Sequence, residues 1–417
     1  MRRACLVAWV LALTLAATLA APAFAAEPIT FWKFADTYGD PTIQEYVDQW
    51  NAAHSPKVEF VSIPWAEYTT TRLTAAFASG QGPDVFWVSP GDFLRYVSNG
   101  ILEPMDTYLT ASQVEDLVPV ARDKATVNGR IYGVPVELEP LAVFYDKDLF
   151  EEKGLAVPQS WDELVRVAQA LTTPERFGLV IEPAADFYQL FTFYPFLWSA
   201  GGDVMDEGWT QARIASPESV AALQFWSDLV NVHGVSPKSQ PAAANDVTML
   251  GSGFGAMQVT GMWAVKILKE QYPDFNYGVF PVPPKERGGE SVSVTGGWMQ
   301  VINAKSKDVE GAAEFTRWLF YESDFPVVWT IQKNSKFPTL QSILDANREY
   351  FHSGPMKVFT EEILPAARPE PRFPPEVQRA LLDALQGTMF GGVPAEMAAK
   401  TAEAQINRFL RTYTGAR

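Results

Sequence analysis

Two acidic residues, Glu137 and Glu139, stand in an otherwise apolar extended run that follows the Asn128-Gly129 pair and contains Pro135 and Pro140. A carboxylate among apolar neighbours has to be matched, because burying an unpaired charge is costly. The match is either a protein cation or something the protein binds. With Asp36, either acid supplies the residue types of a glycoside-cleaving carboxylate pair. The same residues also serve as acceptors for the hydroxyls of a bound solute. The rest of the catalytic repertoire is thin. Gly251-Ser252-Gly253-Phe254-Gly255 lacks the spacing of a nucleophile elbow. His54, His233 and His352 lie far apart with no i,i+4 partner, which argues against a histidine metal site or triad. Asp203 to Gly208 looks like half a calcium loop without the full ligand set and reads as a turn. No cofactor and no metal are expected.

These residues need elements to hold them. Ile29 to Phe34, Val58 to Ile63 and Asp84 to Val88 read as short strands, with helices over Thr42 to His54 and Tyr68 to Ser79 between them. Strands alternating with helices imply parallel βαβ units, and ligands of such sheets sit beyond the carboxyl ends of the strands. Asp36, Trp65, Trp87 and Asp92 fall at or just past those ends. Asn128-Gly129 reads as a hairpin turn, Gly154 as a helix stop, and Ser160 with Glu163 as a capping box. Later, Phe177 to Ile181, Phe254 to Val259 and Tyr277 to Val282 read as strands. Ser291 to Ile302 reads as one extended run containing Gly296-Gly297. Phe191 to Ala200 reads as an aromatic helix, Ser216 caps another, and Pro365 to Pro375 reads as a surface loop.

The amino terminus carries Arg2 and Arg3, an apolar stretch from Leu6 to Leu19, and the small residues Ala23-Phe24-Ala25. That is the pattern of a secretory signal, with cleavage expected near Ala25. The one cysteine, Cys5, lies inside it and ahead of the apolar stretch, so neither a disulfide nor a lipid anchor is expected and the product should be freely soluble in a periplasm. Removing Arg2 and Arg3 from 33 basic residues leaves 31 against 49 acidic, a net charge near −18. Such a balance argues against nucleic acid and anionic membrane surfaces as partners. The length beyond the signal exceeds what one core usually covers, so two domains are expected. Aromatic residues make up 13% of the chain, an investment that a ligand with flat apolar faces would explain.

Several pieces taken in order carry a resemblance: Phe31 to Asp36, Ala78 to Val85 (ASGQGPDV), Asn99 to Leu109, Asn128 to Leu164, Gly201-Gly202, Gly255-Ala256-Met257 to Trp263, and Phe337-Pro338-Thr339. Together they resemble the extracellular solute-binding proteins, family 1, of bacterial ABC importers, and within them the maltose-binding type. The resemblance implies a two-lobe α/β periplasmic-binding-protein fold with discontinuous lobes joined by a multi-segment hinge. It places residues 27–138 with 297–322 in one lobe, and 139–296 with 323–417 in the other. It further implies a monomer that is not an enzyme. Such a protein captures a sugar or short oligosaccharide in the inter-lobe cleft and delivers it to an inner-membrane ABC permease.

For the site, the resemblance matches Trp87 and Trp263 to stacking tryptophans on opposite lobes, Asp36 to a carboxylate that receives sugar hydroxyls, and Glu139 to a hinge glutamate ahead of Tyr145. Trp298, beside Gly296-Gly297 at the second crossing, is expected to line the cleft, and Trp65, Asp92 and Tyr188 complete the candidate set. Each has a plainer role open to it: Trp87 as core, Asp36 as a helix cap, Glu139 as the partner of an arginine across the hinge. Phe191 stands where a stacking tyrosine would be, and the arginine expected after the Trp87 loop is absent. A polyamine, a glycerol phosphate ester, or a secreted glycosidase therefore stand as alternatives to the sugar.

Overall fold

The strand Ile29–Phe34 (β1) alternates toward its two faces, and Lys33 is as fully buried as Phe31. In the computed structural model, which describes residues 27–37, 39–241 and 247–415, β1 sits near the centre of a sheet. The signal segment expected at residues 1–25 lies outside the described residues. β1 is followed by the helix Asp40–Ala53, β2 (Val58–Ile63), a helical stretch over 65–78 with a π turn at Tyr68–Arg72, and β3 (Val85–Val88). β1 pairs in parallel with both β2 and β3, the βαβ arrangement that alternating strands and helices require. The helix Pro90–Ser98 leaves β3. The helix Pro119–Ala125 leads into a two-stranded hairpin, β4 (Thr126–Val127) and β5 (Arg130–Ile131). Its turn residues Asn128 and Gly129 both take positive φ, 51° and 77°, as a type I′ turn requires.

Next come β6 (Val134–Pro135), β7 (Glu139–Asp146), β8 (Met257–Gly261), β9 (Tyr277–Phe280), β10 (Ser293–Gly296), β11 (Met299–Ile302) and β12 (Ala367–Pro369). The strands sort into two sheets. One has the order β2-β1-β3-β11-β6, the other β12-β10-β7-β8 with β9 on the far part of β7. The chain crosses between the sheets from β6 to β7 and returns from β10 to β11. A third segment lies beside these crossings, with Leu138 bridged to Phe337 and the Val136 amide donating to the Trp298 carbonyl. Each sheet is buried in its own apolar core. Around the first are Phe31, Trp50, Trp87 and Phe315, with Phe325 and Trp329 packed among them. Around the second are the aromatic helix Phe187–Ser199 and the helices Pro217–Asn231, Pro375–Met389 and Ala395–Leu410. No helix among the described residues is long and apolar enough to cross a membrane.

Three expectations about elements change. The run from Ser291 to Ile302 is two strands in two different sheets, divided at Gly297. Gly297 takes φ +106°, and a Cβ there would fall 2.0 Å from the Glu137 carbonyl oxygen. Only glycine lets the two crossings lie that close. Phe177 to Ile181 forms isolated bridges, Phe177 to Gly255 and Val180 to Gln258, because the Leu179 amide turns away to the Val235 carbonyl. The stretch Pro365 to Pro375 is only partly a surface loop: it contains β12 and tucks Glu370 and Phe373 inside. Ser160 does cap its helix, accepting from the Glu163 amide at 3.3 Å, while the Glu163 carboxylate takes the Gln159 amide.

Candidate functional site

Past the end of β1 the backbone turns sharply at Gly39, where a Cβ would fall 2.5 Å from Asp36 Oδ2 and equally close to the Trp329 ring. The turn aims Asp36 into a cavity of about 550 Å³ between the two sheets, within the range of small-molecule sites. Lys33 anchors the turn from beneath. Its ammonium donates to the Phe34 carbonyl (2.8 Å) and to Asp40 Oδ1 (2.9 Å) and lies 4.0 Å from Asp36 Oδ2. Burial pushes the Lys33 pKa down, and the Asp36 and Asp40 carboxylates oppose that push.

Two aromatic walls face the cavity. The first joins Phe34, Trp65 and Trp298, with ring centroids 4.9 Å apart for Phe34–Trp65, 4.4 Å for Phe34–Trp298 and 5.8 Å for Trp65–Trp298. The second joins Tyr188, Phe191 and Trp263, with centroids 6.0–6.5 Å apart and the Phe191 and Trp263 planes within 26° of parallel. The second wall follows from local rules. Asp186 caps the helix Phe187–Ser199 by accepting from the amides of Tyr188 and Gln189. Tyr188 and Phe191, three residues apart, then share a face. Trp263 lies over Gly261, whose Cβ, if present, would fall 1.8 Å from its ring. Trp65 meets Phe187, the residue before Tyr188, at 6.0 Å, so the first wall touches the helix that carries the second.

Between the walls, at the crossings, lies a buried polar cluster. Lys336 Nζ sits 2.6 Å from Glu139 Oε1 and 4.0 Å from Glu137 Oε2. Glu137 accepts from the Trp298 amide (2.9 Å) and from Trp329 Nε1 (2.7 Å). Burial works against the Lys336 ammonium, but the two carboxylates outweigh it and hold its pKa above the usual lysine value. Lys124 spends its ammonium on the carbonyls of Gly296 (2.6 Å) and Gly297 (2.9 Å), and burial brings its pKa down to about 8. The cleft therefore offers the Asp36 and Glu139 carboxyls, the Lys336 ammonium and the Asn334 amide between two apolar plates, a combination suited to a ligand with both C–H faces and hydroxyls.

Of the residues singled out in the sequence, Asp36, Trp65, Glu139, Tyr188, Trp263 and Trp298 all line this cavity. Two do not. Trp87 is fully buried in β3, between β1 and β11, and its Nε1 donates to Gln300 Oε1 at 3.1 Å. A central strand covered on both faces has no side directed at the cleft, so Trp87 is core. Asp92 pairs with Arg95 at 3.0 Å on the helix Pro90–Ser98 and does not line the cavity. The partner of Glu139 is Lys336 rather than an arginine. Sequence reasoning missed Phe34, Lys336 and Glu370, all of them lining residues. Lys336 could have been suspected from its place directly before the Phe337-Pro338-Thr339 motif.

The sequence pattern of the family described as bacterial extracellular solute-binding protein matches residues 35–322. An arabinooligosaccharide-binding protein of Halalkalibacterium halodurans is 24% identical over 321 residues, which cover 73% of this chain and 70% of that one. A maltotriose-binding protein of Pyrococcus abyssi is 27% identical over 222 residues, 52% of this chain and 46% of that one. Among solved structures, an ABC transporter solute-binding protein from Thermotoga lettingae, bound with α-D-tagatose, superposes with a TM-score of 0.82. It is 24% identical, and the match covers 92% of this chain and 99% of that one.

Proposed function

We propose that this chain, which belongs to the bacterial extracellular solute-binding protein family, captures a sugar or short oligosaccharide in its inter-lobe cleft and delivers it to an inner-membrane ABC permease. The observation that carries the reading is the pair of aromatic walls facing each other across buried carboxyl and ammonium groups. Aromatic faces cover the C–H surfaces of a sugar ring, and carboxylates and ammonium groups bind its hydroxyls. The residues proposed to touch the ligand are Asp36, Trp65, Glu139, Tyr188, Trp263 and Trp298. The names of the arabinooligosaccharide- and maltotriose-binding relatives point to the same ligand class.

Capture proceeds by lobe closure. We place the lobes at residues 27–138 with 297–329, and 139–296 with 330–417; the expected boundary at 322 moves beyond Trp329 because Phe325 and Trp329 pack into the first core. Ligand shifts the equilibrium toward the closed form only through the extra contacts it makes there, and a micromolar affinity amounts to about 8 kcal/mol. The protein acts as a periplasmic monomer after cleavage near Ala25, and it binds rather than cleaves. Both Glu137 oxygens are engaged by the hinge, and Glu139 is paired with Lys336, so neither is set up as a free acid or base.

A glycerol phosphate ester fits less well, since no arginine is among the described lining residues. The test is the melting temperature of residues 26–417 against a panel of mono- and oligosaccharides, with spermidine and glycerol-3-phosphate as controls. At a hundredfold excess over Kd a true ligand stabilises by about 2.7 kcal/mol. A shift with a sugar supports the reading. A shift with a control alone replaces the ligand class, and release of free sugar from a glycoside would make the protein an enzyme.

A further inference from the structure

Among the described lining residues, one acid is used by neither the hinge nor the ion pairs. Glu370 follows β12, is nine-tenths buried and lines the cavity. Its backbone is fixed, the amide donating to the Thr295 carbonyl at 3.0 Å. Its carboxyl stands between the two sheets: a Cβ added at Gly91 or at Gly296 would lie 3.4 Å and 3.5 Å from its two oxygens. Among the described residues no hydrogen bond or ion pair reaches that carboxyl. The neighbouring cation, Lys124, directs its ammonium at two backbone carbonyls instead.

We propose that the Glu370 carboxyl is a specificity-determining ligand contact of this cleft, and that it donates a hydrogen bond to an uncharged oxygen of the bound solute. The proposal rests on the reading of the cleft as a sugar site. A buried carboxylate without a partner is unfavourable, and such a group neutralises instead. The charged and titratable groups around it reinforce this. Asp92 on the helix Pro90–Ser98 and Glu139 on β7 add negative charge, Tyr194 on the helix Phe187–Ser199 faces it, and only Lys124 on the helix Pro119–Ala125 opposes them. Arg372, two residues on, is turned to the carbonyls of Lys124 and Thr126. Burial, with these neighbours, pushes the Glu370 carboxyl up to about 8. A protonated acid donates, whereas a carboxylate only accepts. The cleft thus rewards a hydroxyl or ring oxygen at this point and offers less to an ammonium.

The experiment is calorimetric titration of residues 26–417, with wild type, Glu370→Gln and Glu370→Ala, against maltotriose, arabinotriose, D-tagatose and spermidine at pH 6 and pH 9. Folding of each variant is checked by circular dichroism. The side-chain amide introduced by Glu370→Gln keeps a donor at every pH. That variant therefore binds sugar within about threefold of wild type at pH 6, while Glu370→Ala, which loses the hydrogen bond, binds about tenfold more weakly. Burial raises the Glu370 ionisation well above the ordinary carboxyl range, so the acid is protonated at pH 6 and gives up its proton as the pH rises toward 9. Wild type therefore loses up to about tenfold in affinity between the two pH values, and Glu370→Gln does not. A sugar bound equally well by wild type and Glu370→Ala overturns the contact, and equal losses in both variants overturn the donor. Should wild type bind no sugar at all, the carbohydrate reading itself has failed, an outcome visible before any variant is compared.

Discussion

The two walls of the cleft are built differently. Phe34, Trp65 and Trp298 form a continuous aromatic cluster that runs on into the first core, through contacts of Phe34 with Tyr68 and Trp87 at 6.2 and 6.1 Å. Trp298 is also pinned by its backbone, its amide on Glu137 and its carbonyl accepting from the Val136 amide. Trp263 is half-buried and follows a glycine and a methionine at the start of the helix Ala264–Gln271, where the rings of Tyr188 and Phe191 back it. Both walls are rooted in a core, Phe34 and Trp298 in the first and Tyr188 and Phe191 in the second, but Trp263 is only partly buried and rests on the second as a plate. Trp298 cannot be removed without touching stability, whereas Trp263 is the more readily removed plate.

Substitutions sharpen that contrast. The largest effect is expected at the joint behind the first wall. Glu137→Ala strips the Trp298 amide, Trp329 Nε1 and Lys336 of a buried anion, and should cost about 3–5 kcal/mol of unfolding free energy by denaturant titration. Trp298→Ala comes next, with a cavity cost of about 3–5 kcal/mol at most, scaled down by whatever the cleft side fails to pack. It should lower melting temperature and sugar affinity together. Trp87→Phe should cost about 1–3 kcal/mol, mostly through the unpaired Gln300 amide oxygen, and leave affinity unchanged. An affinity loss there would restore Trp87 as a ligand contact and undo its assignment to the core.

Local chemistry made much of this legible in the sequence. Asn128-Gly129, Gly154 and Ser160 each specify a short-range conformation, and each is found in it. The positions of strands β1 to β3 and their parallel pairing also follow from periodicity. What escaped depended on distant partners. Trp87 could be read as plate or core because a strand covered on both faces gives the same apolar run either way. The pairing of Glu139 with Lys336 joins residues far apart in the chain, and the single-run reading of Ser291 to Ile302 hid a change of sheet at Gly297. Glu370 lay in a proline-rich stretch whose composition suggested surface, yet pairing of β12 with β10 carries it inward.

Ligand held between two aromatic plates must lose affinity when the plate of the second wall, Trp263, is removed. Calorimetric titration of Trp263→Ala with the sugar that most stabilises wild type tests this directly. The expected result is a loss of at least about tenfold in affinity, roughly 1.4 kcal/mol, with a smaller drop in melting temperature than Trp298→Ala causes. Affinity equal to that of wild type would contradict it, because the second wall would then be no part of the site.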